Sequence, residues 1–268
     1  MSPEYATRFK TAAVSIDDLG VLTIRLHSRG GPLGWNGLPH RELPELFANV
    51  AADRNVRAVI LTGTGDRFID LIPSFEEGVA RGEATAAMMD EGLFEGNRLM
   101  SALLGIEVPI IAAVNGPVDV HAELALLSDI VLCTRDTYFQ DAAHVPLGLV
   151  PGDGVQVVWP MLLGINRARY FLLTGQKIAA AEALQLGVVS EVVAAEALTD
   201  RAVAHARRLA VCNPVFVRNT RLVFIHQLRR AMAADLSAGL ALEAVASLSG
   251  ANWDGPSAPE PIDTIATT

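Results

Sequence analysis

The sequence predicts an α/β fold followed by an α-helical C-terminal region. In the first half, apolar segments rich in β-branched residues alternate with segments of helical periodicity. The last third shows helical spacing almost throughout. The chain has 268 residues, of which 51% are hydrophobic and 19% charged, an ordinary balance for a globular protein. Strands that alternate with helices are typical of a sheet covered by helices, so we expect one α/β core.

Four apolar segments are predicted as strands of this core: 21–26, 56–61, 110–114 and 130–133. The residues 62–66, Thr-Gly-Thr-Gly-Asp, follow the second of them. They lack the third glycine of a dinucleotide loop and the Gly-Lys-Ser/Thr of a phosphate loop. We interpret them as a turn that ends the strand.

Apolar spacing predicts helices in nine further segments, and residues 134–155 are expected to be a loop. Residues 1–10 are expected to be frayed, and the tail from Asn252, rich in Pro, Ser and Thr, to be disordered. This divides the chain into a core of residues 1–194, a helical region of 195–250 and a tail of 251–268. The predicted helices are 40–52, 85–105, 121–127, 156–163, 166–173, 179–186, 195–211, 214–227 and 231–248.

Composition and charge exclude several classes of protein. The two cysteines, Cys133 and Cys212, have no CxxC spacing, which argues against a disulfide scaffold and a structural zinc site. A net charge of −9 disfavours a nucleic-acid partner. The N-terminus lacks the apolar segment of a signal peptide, and no run approaches the ~20 apolar residues that span a bilayer. We therefore expect a cytoplasmic protein without a membrane partner, with some apolar surface buried between subunits.

The segment 114–124 contains the first candidate for chemistry. A buried strand ends in the turn Asn-Gly-Pro at 115–117, and a helix is predicted to start near His121. Unpaired backbone N–H groups at a helix start favour an anion, so His121 is placed where developing negative charge is stabilised. The alternative is an ordinary helix-start or core histidine.

The second candidate is a His–Asp pair. His144 and Asp153 lie nine residues apart around a loop rich in Pro and Gly, which allows Asp153 to approach the imidazole. A carboxylate on one ring nitrogen fixes the tautomer and supports the imidazolium, as is needed to activate water. The alternative is a surface loop with solvated side chains.

Other reactive groups give weaker patterns. A metal site of His121, Glu123 and His144 is disfavoured, because positions 121 and 123 do not face the same way on a helix. We expect no metal and no other cofactor. The chain has no GxSxG motif and no cysteine in a catalytic motif, so a covalent acyl-enzyme is not indicated. Four histidines are interpreted as structural or solvated: His27, His40, His205 and His226.

Several motifs follow one another in a familiar order over roughly residues 14–248. They are Ala-Val-Ile-Leu-Thr-Gly-Thr-Gly at 58–65, Pro-Ile-Ile-Ala-Ala-Val-Asn-Gly at 109–116, Glu-Leu at 123–124, Ser-Asp-Ile at 128–130, Gly-Leu-Val-Pro-Gly at 148–152 and Leu-Thr-Gly at 173–175. In this order they resemble the enoyl-CoA hydratase/isomerase (crotonase) superfamily. The resemblance implies a ββα spiral core, a C-terminal helical trimerisation region, and trimers or pairs of trimers.

The sequence departs from the usual hydratase pattern in three places. Typical members carry three consecutive glycines before the Glu-Leu pair, and one supplies an N–H for the thioester oxyanion. Here residues 117–123 read Pro-Val-Asp-Val-His-Ala-Glu, one residue shorter, and His121 replaces a glycine. The usual Ser-Ala-Gly-x-Asp-Leu loop reads Ile-Asp-Leu-Ile-Pro-Ser at 69–74. The second catalytic carboxylate of the family corresponds to His144.

At these places the sequence resembles one branch of the superfamily, which comprises 6-oxocamphor hydrolase and related β-diketone hydrolases. The shared marks are Trp35, Val-x-x-His-Ala-Glu at 118–123, Phe-Gln-Asp-x-x-His at 139–144, Val-Pro-Gly-Asp-Gly at 150–154, Val-Trp-Pro at 158–160, and segments at 169–175, 227–232 and 239–243. The resemblance implies hydrolysis of a C–C bond between two ketones by a retro-Claisen route, without coenzyme A.

The same resemblance implies a role for each candidate residue. His144, paired with Asp153, acts as the base for water, and His121 stabilises an oxyanion or enolate. Glu243, if protonated, faces a carbonyl, and Trp35 donates its indole N–H to a carbonyl while its ring packs on an alicyclic substrate. Glu123 matches a catalytic acid of ordinary hydratases, and its role here stays open. Two alternatives also stay open, a CoA-dependent hydratase or isomerase and a non-catalytic oligomeric homologue.

Overall fold

The structure is a computed structural model that describes residues 3–72 and 84–249. A six-stranded sheet forms its centre, in the order β1-β2-β4-β6-β7-β10. β1 pairs antiparallel with β2, and the remaining neighbours are parallel. Two small two-stranded sheets, β3-β5 and β8-β9, lie beside it. The strands are β1 Ala12–Ile16, β2 Val21–Leu26, β3 Leu33–Gly34, β4 Ala58–Thr62, β5 Ile69–Asp70, β6 Ile110–Val114, β7 Ile130–Thr134, β8 Tyr138–Phe139, β9 Ile178–Ala179 and β10 Glu191–Val193.

Helices cover both faces of the central sheet. Every residue of β4 and β6 is buried, because alternate side chains enter two separate apolar clusters. Val59 and Ile110 belong to the larger cluster, and Ile60 and Ile111 to the smaller one. The helices are α1 Gly37–Ala52, α2 Ala86–Gly105, α3 Glu123–Leu126, α4 Val155–Leu163, α5 Ile165–Thr174, α6 Ala180–Gln185, α7 Leu198–Ala210 and α8 Pro214–Ser249.

The predicted α/β core with a helical C-terminal region is confirmed, with local corrections. Residues 4–7 form a short 3-10 helix rather than a frayed end, and two strands of the central sheet, β1 and β10, were not predicted. The two helices expected at 214–227 and 231–248 are one continuous helix, α8, because residues 228–230 contain no helix breaker. The tail expected to be disordered lies outside the described residues.

The helix α8 packs lengthwise on the core through Met232, Leu236 and Leu240. Gly96 of α2 faces Leu240 closely, so a Cβ there would meet its methyl groups at 3.1 Å. By length and composition alone, α8 is also the one helix among the described residues that is apolar enough to cross a membrane. Its packing against α2 carries Glu243 towards the centre of the molecule.

The small sheets position the loops that carry the candidate residues. Val118 forms single bridges to Ile69 of β5 and to Phe139 of β8, which places the segment before α3 between two loops. The backbone N–H of Gln140 donates to the Val118 carbonyl, and that of Ala142 to the Asp119 carbonyl. His121 and His144 are thereby brought to the same end of the core from separate segments of the chain.

Candidate active site

A cavity of about 300 Å³ lies between α1, α2 and α8 and the loops at 119–122 and 140–154. All five residues that the sequence predicted for the site line it: Trp35, His121, His144, Asp153 and Glu243. His121, His144 and Asp153 are buried. The alternative of a solvated loop at His144 and Asp153 is therefore wrong.

His121 adopts an unusual backbone conformation. Its φ of 51° lies in the left-handed region, which costs an L-residue other than glycine about 1–2 kcal/mol. In the usual family pattern this position holds a glycine, which adopts such a conformation without that cost. The carbonyl of His121 accepts from the N–H of Leu124, at 3.1 Å, and so opens the turn that leads into α3.

This conformation brings His121 to Glu123. The Nδ1 atom of His121 lies 2.5 Å from Oε1 of Glu123, a carboxylate buried at 0% exposure. The expectation that positions 121 and 123 face apart is wrong, because His121 precedes the helix and its φ turns the ring back. Burial lowers the pKa of His121, but the charges of Glu123 and Asp153 outweigh burial and raise it. Burial raises the pKa of Glu123.

His144 has two carboxylate neighbours. Its Nδ1 lies 2.6 Å from Oδ1 of Asp141, and its Nε2 lies 3.6 Å from Oδ2 of Asp153. The predicted pair with Asp153 is therefore the looser contact, and the hydrogen bond that fixes the tautomer goes to Asp141. Burial lowers the pKa of His144, but Asp141 and Asp153 more than offset this and raise it well above 6.5.

Asp153 lies between the two histidines. Its Oδ2 is 3.3 Å from Nδ1 of His121 and 3.6 Å from Nε2 of His144. Burial raises the pKa of Asp153, but His144 and His121 outweigh burial, so the net direction is down. One carboxylate is thus shared by two imidazoles, which holds positive charge on both.

Trp35 and His40 form the wall beside His121. The indole Nε1 of Trp35 donates to Nε2 of His40 at 2.9 Å, so that N–H is already bonded inside the protein and does not meet a carbonyl as predicted. The Trp35 ring lies on the His121 ring with centroids 3.8 Å apart. Burial, followed by the charge of His121, lowers the pKa of His40 to about 3, so His40 is neutral and can accept.

Glu243 reaches the cavity from α8. Gly152, next to Asp153, meets Gly239 of α8 so closely that a Cβ on either would collide with the backbone of the other. This glycine contact brings the Asp153 loop and the Glu243 helix together. The charge of Glu243 contributes to the raised pKa of His144.

Sequence reasoning missed two residues of this site. Asp141 lies three residues before His144, and such spacing across a turn was an available signal. His40 follows Trp35 by five residues at the start of α1, and no short-range pattern announced their contact. His226 is exposed, as expected of a solvated side chain.

The atoms suited to a metal ion are already bonded to one another. Among the described residues, His121, Glu123 and Asp153 form one group whose ligand atoms lie within 4.8 Å. Nδ1 of His121 and Oε1 of Glu123, however, lie only 2.5 Å apart, which is closer than two ligand atoms stand around one tetrahedral ion. The arrangement therefore fits a proton-holding network better than a cation site.

Comparison with known proteins agrees with this fold. The family model for enoyl-CoA hydratase/isomerase matches residues 20–245. A carnitinyl-CoA dehydratase of Citrobacter koseri is 32% identical over 184 residues, which cover 68% of this chain and 69% of that protein.

Solved structures give closely similar folds. A β-diketone hydrolase from the cyanobacterium Anabaena sp. PCC 7120, bound to (S)-3-oxocyclohexyl acetic acid, superposes with a TM-score of 0.87 and 38% identity over 92% of this chain and 98% of that one. An enoyl-CoA hydratase/isomerase from Mycobacterium paratuberculosis gives a TM-score of 0.81 and 28% identity over 89% and 94% of the two chains. The chain therefore belongs to the enoyl-CoA hydratase/isomerase family of the crotonase superfamily.

Proposed function

We propose that this enzyme is a β-diketone hydrolase, which cleaves the C–C bond between two ketone carbonyls with water and without coenzyme A. The observation that carries the proposal is the buried group of His144, Asp153 and His121 around one cavity. The usual family pattern has a carboxylate at position 144 and a glycine at position 121. Both changes supply imidazoles, which suit proton transfer near neutral pH.

The ligand of the Anabaena β-diketone hydrolase supports a substrate class. That molecule, (S)-3-oxocyclohexyl acetic acid, carries one ketone and one carboxylic acid. Hydrolysis of a C–C bond between two ketones generates one ketone and one carboxylic acid. A bridged bicyclic diketone that lost one ring would give such a product. A cavity of about 300 Å³ lies at the small end of the range for ligand pockets and suits a compact alicyclic molecule.

The proposed reaction balances with water as the second reactant. Neutral His144 removes a proton from water, and the hydroxide oxygen bonds to one carbonyl carbon. The tetrahedral oxyanion then re-forms its C=O bond and expels the carbon between the carbonyls as an enolate. The proton on His144 passes to that carbon, which leaves a keto acid. General acid–base help of this kind contributes about 10²–10⁴-fold.

Other residues of the cavity would stabilise the charges. His121, kept as an imidazolium by the charges of Glu123 and Asp153 at Nδ1, would donate its Nε2 proton to the oxyanion or the enolate. Trp35 would hold His121 in place by stacking and would offer its ring, but not its N–H, to the alicyclic substrate. Glu243 would need its proton to face a carbonyl oxygen.

The raised pKa of His144 sets a condition on this mechanism. A base must be neutral when it meets water, whereas Asp141 and Asp153 hold His144 as an imidazolium at pH values near 6.5. The proposed route therefore predicts that the enzyme is most active on the alkaline side of neutral pH.

The CoA-dependent alternative draws support from the name of the Citrobacter relative, carnitinyl-CoA dehydratase. In this chain, however, Glu123 is bonded to His121 and does not line the cavity. Arg41 is the one arginine or lysine among the described residues that line the cavity, and Glu91 and Glu95 line it too, which is a poor setting for the phosphates of coenzyme A. The two functions differ in substrate, so one assay separates them.

We further propose that the chain assembles into trimers or pairs of trimers in the cytoplasm. Both α8 and α5 expose large apolar side chains, including Val223 at 72%, Phe224 at 71% and Leu173 at 62%. Apolar surface of this kind marks an interaction site. Light scattering at micromolar concentration tests the assembly, and a monomer would contradict it.

The test of function is incubation with cyclic and bicyclic β-diketones that cannot enolise between the carbonyls, without CoA, metal or nucleotide. We expect loss of the diketone absorbance, formation of a keto acid by mass spectrometry, and the same rate after treatment with a chelator. A parallel panel of acyl-CoA thioesters serves as the comparison. Turnover of acyl-CoAs alone, or loss of diketone hydrolysis with the chelator, would contradict the proposal.

A further inference from the structure

Two carboxylates of the site lie behind the histidines rather than in the cavity. Glu123 is bonded to His121 and Asp141 to His144, and neither carboxylate lines the cavity. Their residues are exposed by 0% and 2% respectively. A substrate in the cavity therefore meets the imidazoles and not these two carboxylates.

We propose that Glu123 and Asp141 are positioning residues, each of which holds the proton of one active-site histidine on Nδ1 and so leaves Nε2 as the reacting nitrogen. This inference rests on the proposed hydrolase function for its kinetic part. It assigns Glu123, a catalytic acid in ordinary hydratases by resemblance, to a supporting role behind His121. It also assigns to Asp141 the orienting role that the sequence predicted for Asp153.

The hydrogen-bond distances support the two assignments. The contacts of 2.5 Å and 2.6 Å are short hydrogen-bond contacts, whereas Asp153 lies 3.3 Å and 3.6 Å from the same rings. The atoms also differ, because Asp141 meets Nδ1 of His144 while Asp153 faces Nε2. A histidine whose Nδ1 carries the proton can accept a proton from water only at Nε2.

Burial indicates that the two carboxylates depend on these bonds. The second oxygens, Oε2 of Glu123 and Oδ2 of Asp141, are buried and have no hydrogen-bond partner among the described residues. A buried carboxylate with unsatisfied capacity destabilises the fold unless a charged partner compensates it. The imidazoles supply that compensation, and the carboxylates in return fix the ring orientation and the tautomer.

In this arrangement Asp153 is the one of the three carboxylates, Glu123, Asp141 and Asp153, that faces the substrate in the cavity. It lines the cavity and lies between both rings, so it can receive or steady a proton that His144 carries at Nε2. The strained backbone of His121 fits the same scheme, because the Glu123 bond and the Trp35 ring together hold the imidazole of a residue at φ 51°.

The direct test is the position of the ring protons, measured by ¹⁵N NMR on histidine-labelled enzyme. The signals are assigned by their loss in His121→Ala and His144→Ala. At a pH where the rings are neutral, we expect the proton on Nδ1 of both histidines. Asp141→Asn should change the tautomer of His144 alone, and Glu123→Gln that of His121 alone. Glu191→Gln, which alters a surface carboxylate bonded to His205, is the matched control and should change neither.

The kinetic test separates positioning from a merely structural role. Asp141→Asn should lower kcat by about 10²-fold or more with little change in KM, because an amide supports the wrong tautomer. The acid limb of the pH profile should move to lower pH, since one of the charges around His144 is removed. Asp153, Glu243 and His121 also face His144, so the limb should shift rather than vanish.

Each outcome decides the proposal. An unchanged His144 tautomer together with an unmoved acid limb in Asp141→Asn would overturn it. If the variant does not fold, the wild-type spectrum decides, because neutral rings protonated on Nε2 would also overturn it. Inactivity of the wild type towards diketones, with Nδ1 tautomers as expected, would refute the proposed function and leave the positioning roles standing.

Discussion

Two clusters of histidine and carboxylate in the described part of the chain have similar contacts and different surroundings. At the surface, Glu191 lies 2.9 Å from Nε2 of His205 and accepts two bonds from Arg201. The Arg201 bonds are the main cause that lowers the pKa of Glu191 to about 2. In the cavity, the contacts of His121 and His144 are buried, and the pKa values of the histidines rise. The difference indicates that a short histidine–carboxylate contact can serve proton transfer only where the pair is buried and lies beside a cavity that a substrate can enter.

The largest difference between the buried and the surface cluster should be the loss of kcat when His144, the proposed base, or its neighbour Asp153 is replaced. His144→Ala should lower kcat by about 10²–10⁴-fold with folding intact, whereas His205→Ala should leave kcat unchanged. Asp153→Asn should also reduce kcat strongly. The double variant should lose little more than the worse single variant, because residues that act as a unit are not additive. Independent, multiplicative losses would show that Asp153 and His144 do not act together.

The next effect concerns charge stabilisation. His121→Ala should lower kcat by about 10²-fold, which corresponds to the ~3 kcal/mol of one donor in a dry site. A stronger external base should not restore the rate, because the lost group stabilises an anion and does not remove a proton. Full rescue by such a base would reassign His121 to proton transfer.

The third effect is the pH dependence of the two buried histidines. Because Asp141 and Asp153 raise the pKa of His144, kcat/KM should rise with pH through a value above 6.5. The folded state holds these protons more tightly than the unfolded chain, so the free energy of unfolding should fall as pH rises through the same range. Parallel rate and unfolding measurements check the opposite slopes. A rate that falls with pH across this range would contradict the base assignment.

The smallest effect belongs to the surface cluster. Glu191→Gln should change the free energy of unfolding by less than about 1 kcal/mol and leave kcat unchanged, because exposed ion pairs are screened. The lowered pKa means that this stabilisation is present above pH 4.5 and is lost as pH falls towards about 2. Added salt should reduce the difference from wild type, and a large loss insensitive to salt would show that the cluster is not a simple surface pair.

The fold was largely predictable because its strands are continuous apolar segments. The segments at 21–26 and 110–114 match β2 and β6 residue for residue, and the predicted helix at 85–105 matches α2 within one residue. The first strand was missed because its exposed alternate residues, in Ala12–Ile16, give a weak pattern at an edge. The division of α8 was wrong because the residues between the two predicted helices, Leu-Arg-Arg at 228–230, all have high helix propensity.

The sequence predicted which residues line the site better than it predicted which of them contact one another. Resemblance to a known branch indicated all five predicted residues that line the cavity, including Glu243, which is far away in sequence. The three-residue spacing of Asp141 and His144 was a signal for their contact, but the preference of Nδ1 for Asp141 over Asp153 depends on the fold of the 140–148 loop. Likewise, the bond between His121 and Glu123 depends on a left-handed backbone that a helix-based argument excludes.

The most direct test of the account is diketone hydrolysis in ¹⁸O-labelled water. A bridged bicyclic β-diketone should give a keto acid with one labelled oxygen in its carboxylate, with no coenzyme A present. His205→Ala should give the same product at the wild-type rate, and His144→Ala should give it at least about 10²-fold more slowly. Absence of labelled keto acid from the wild type, with turnover of acyl-CoA thioesters in its place, would contradict the account.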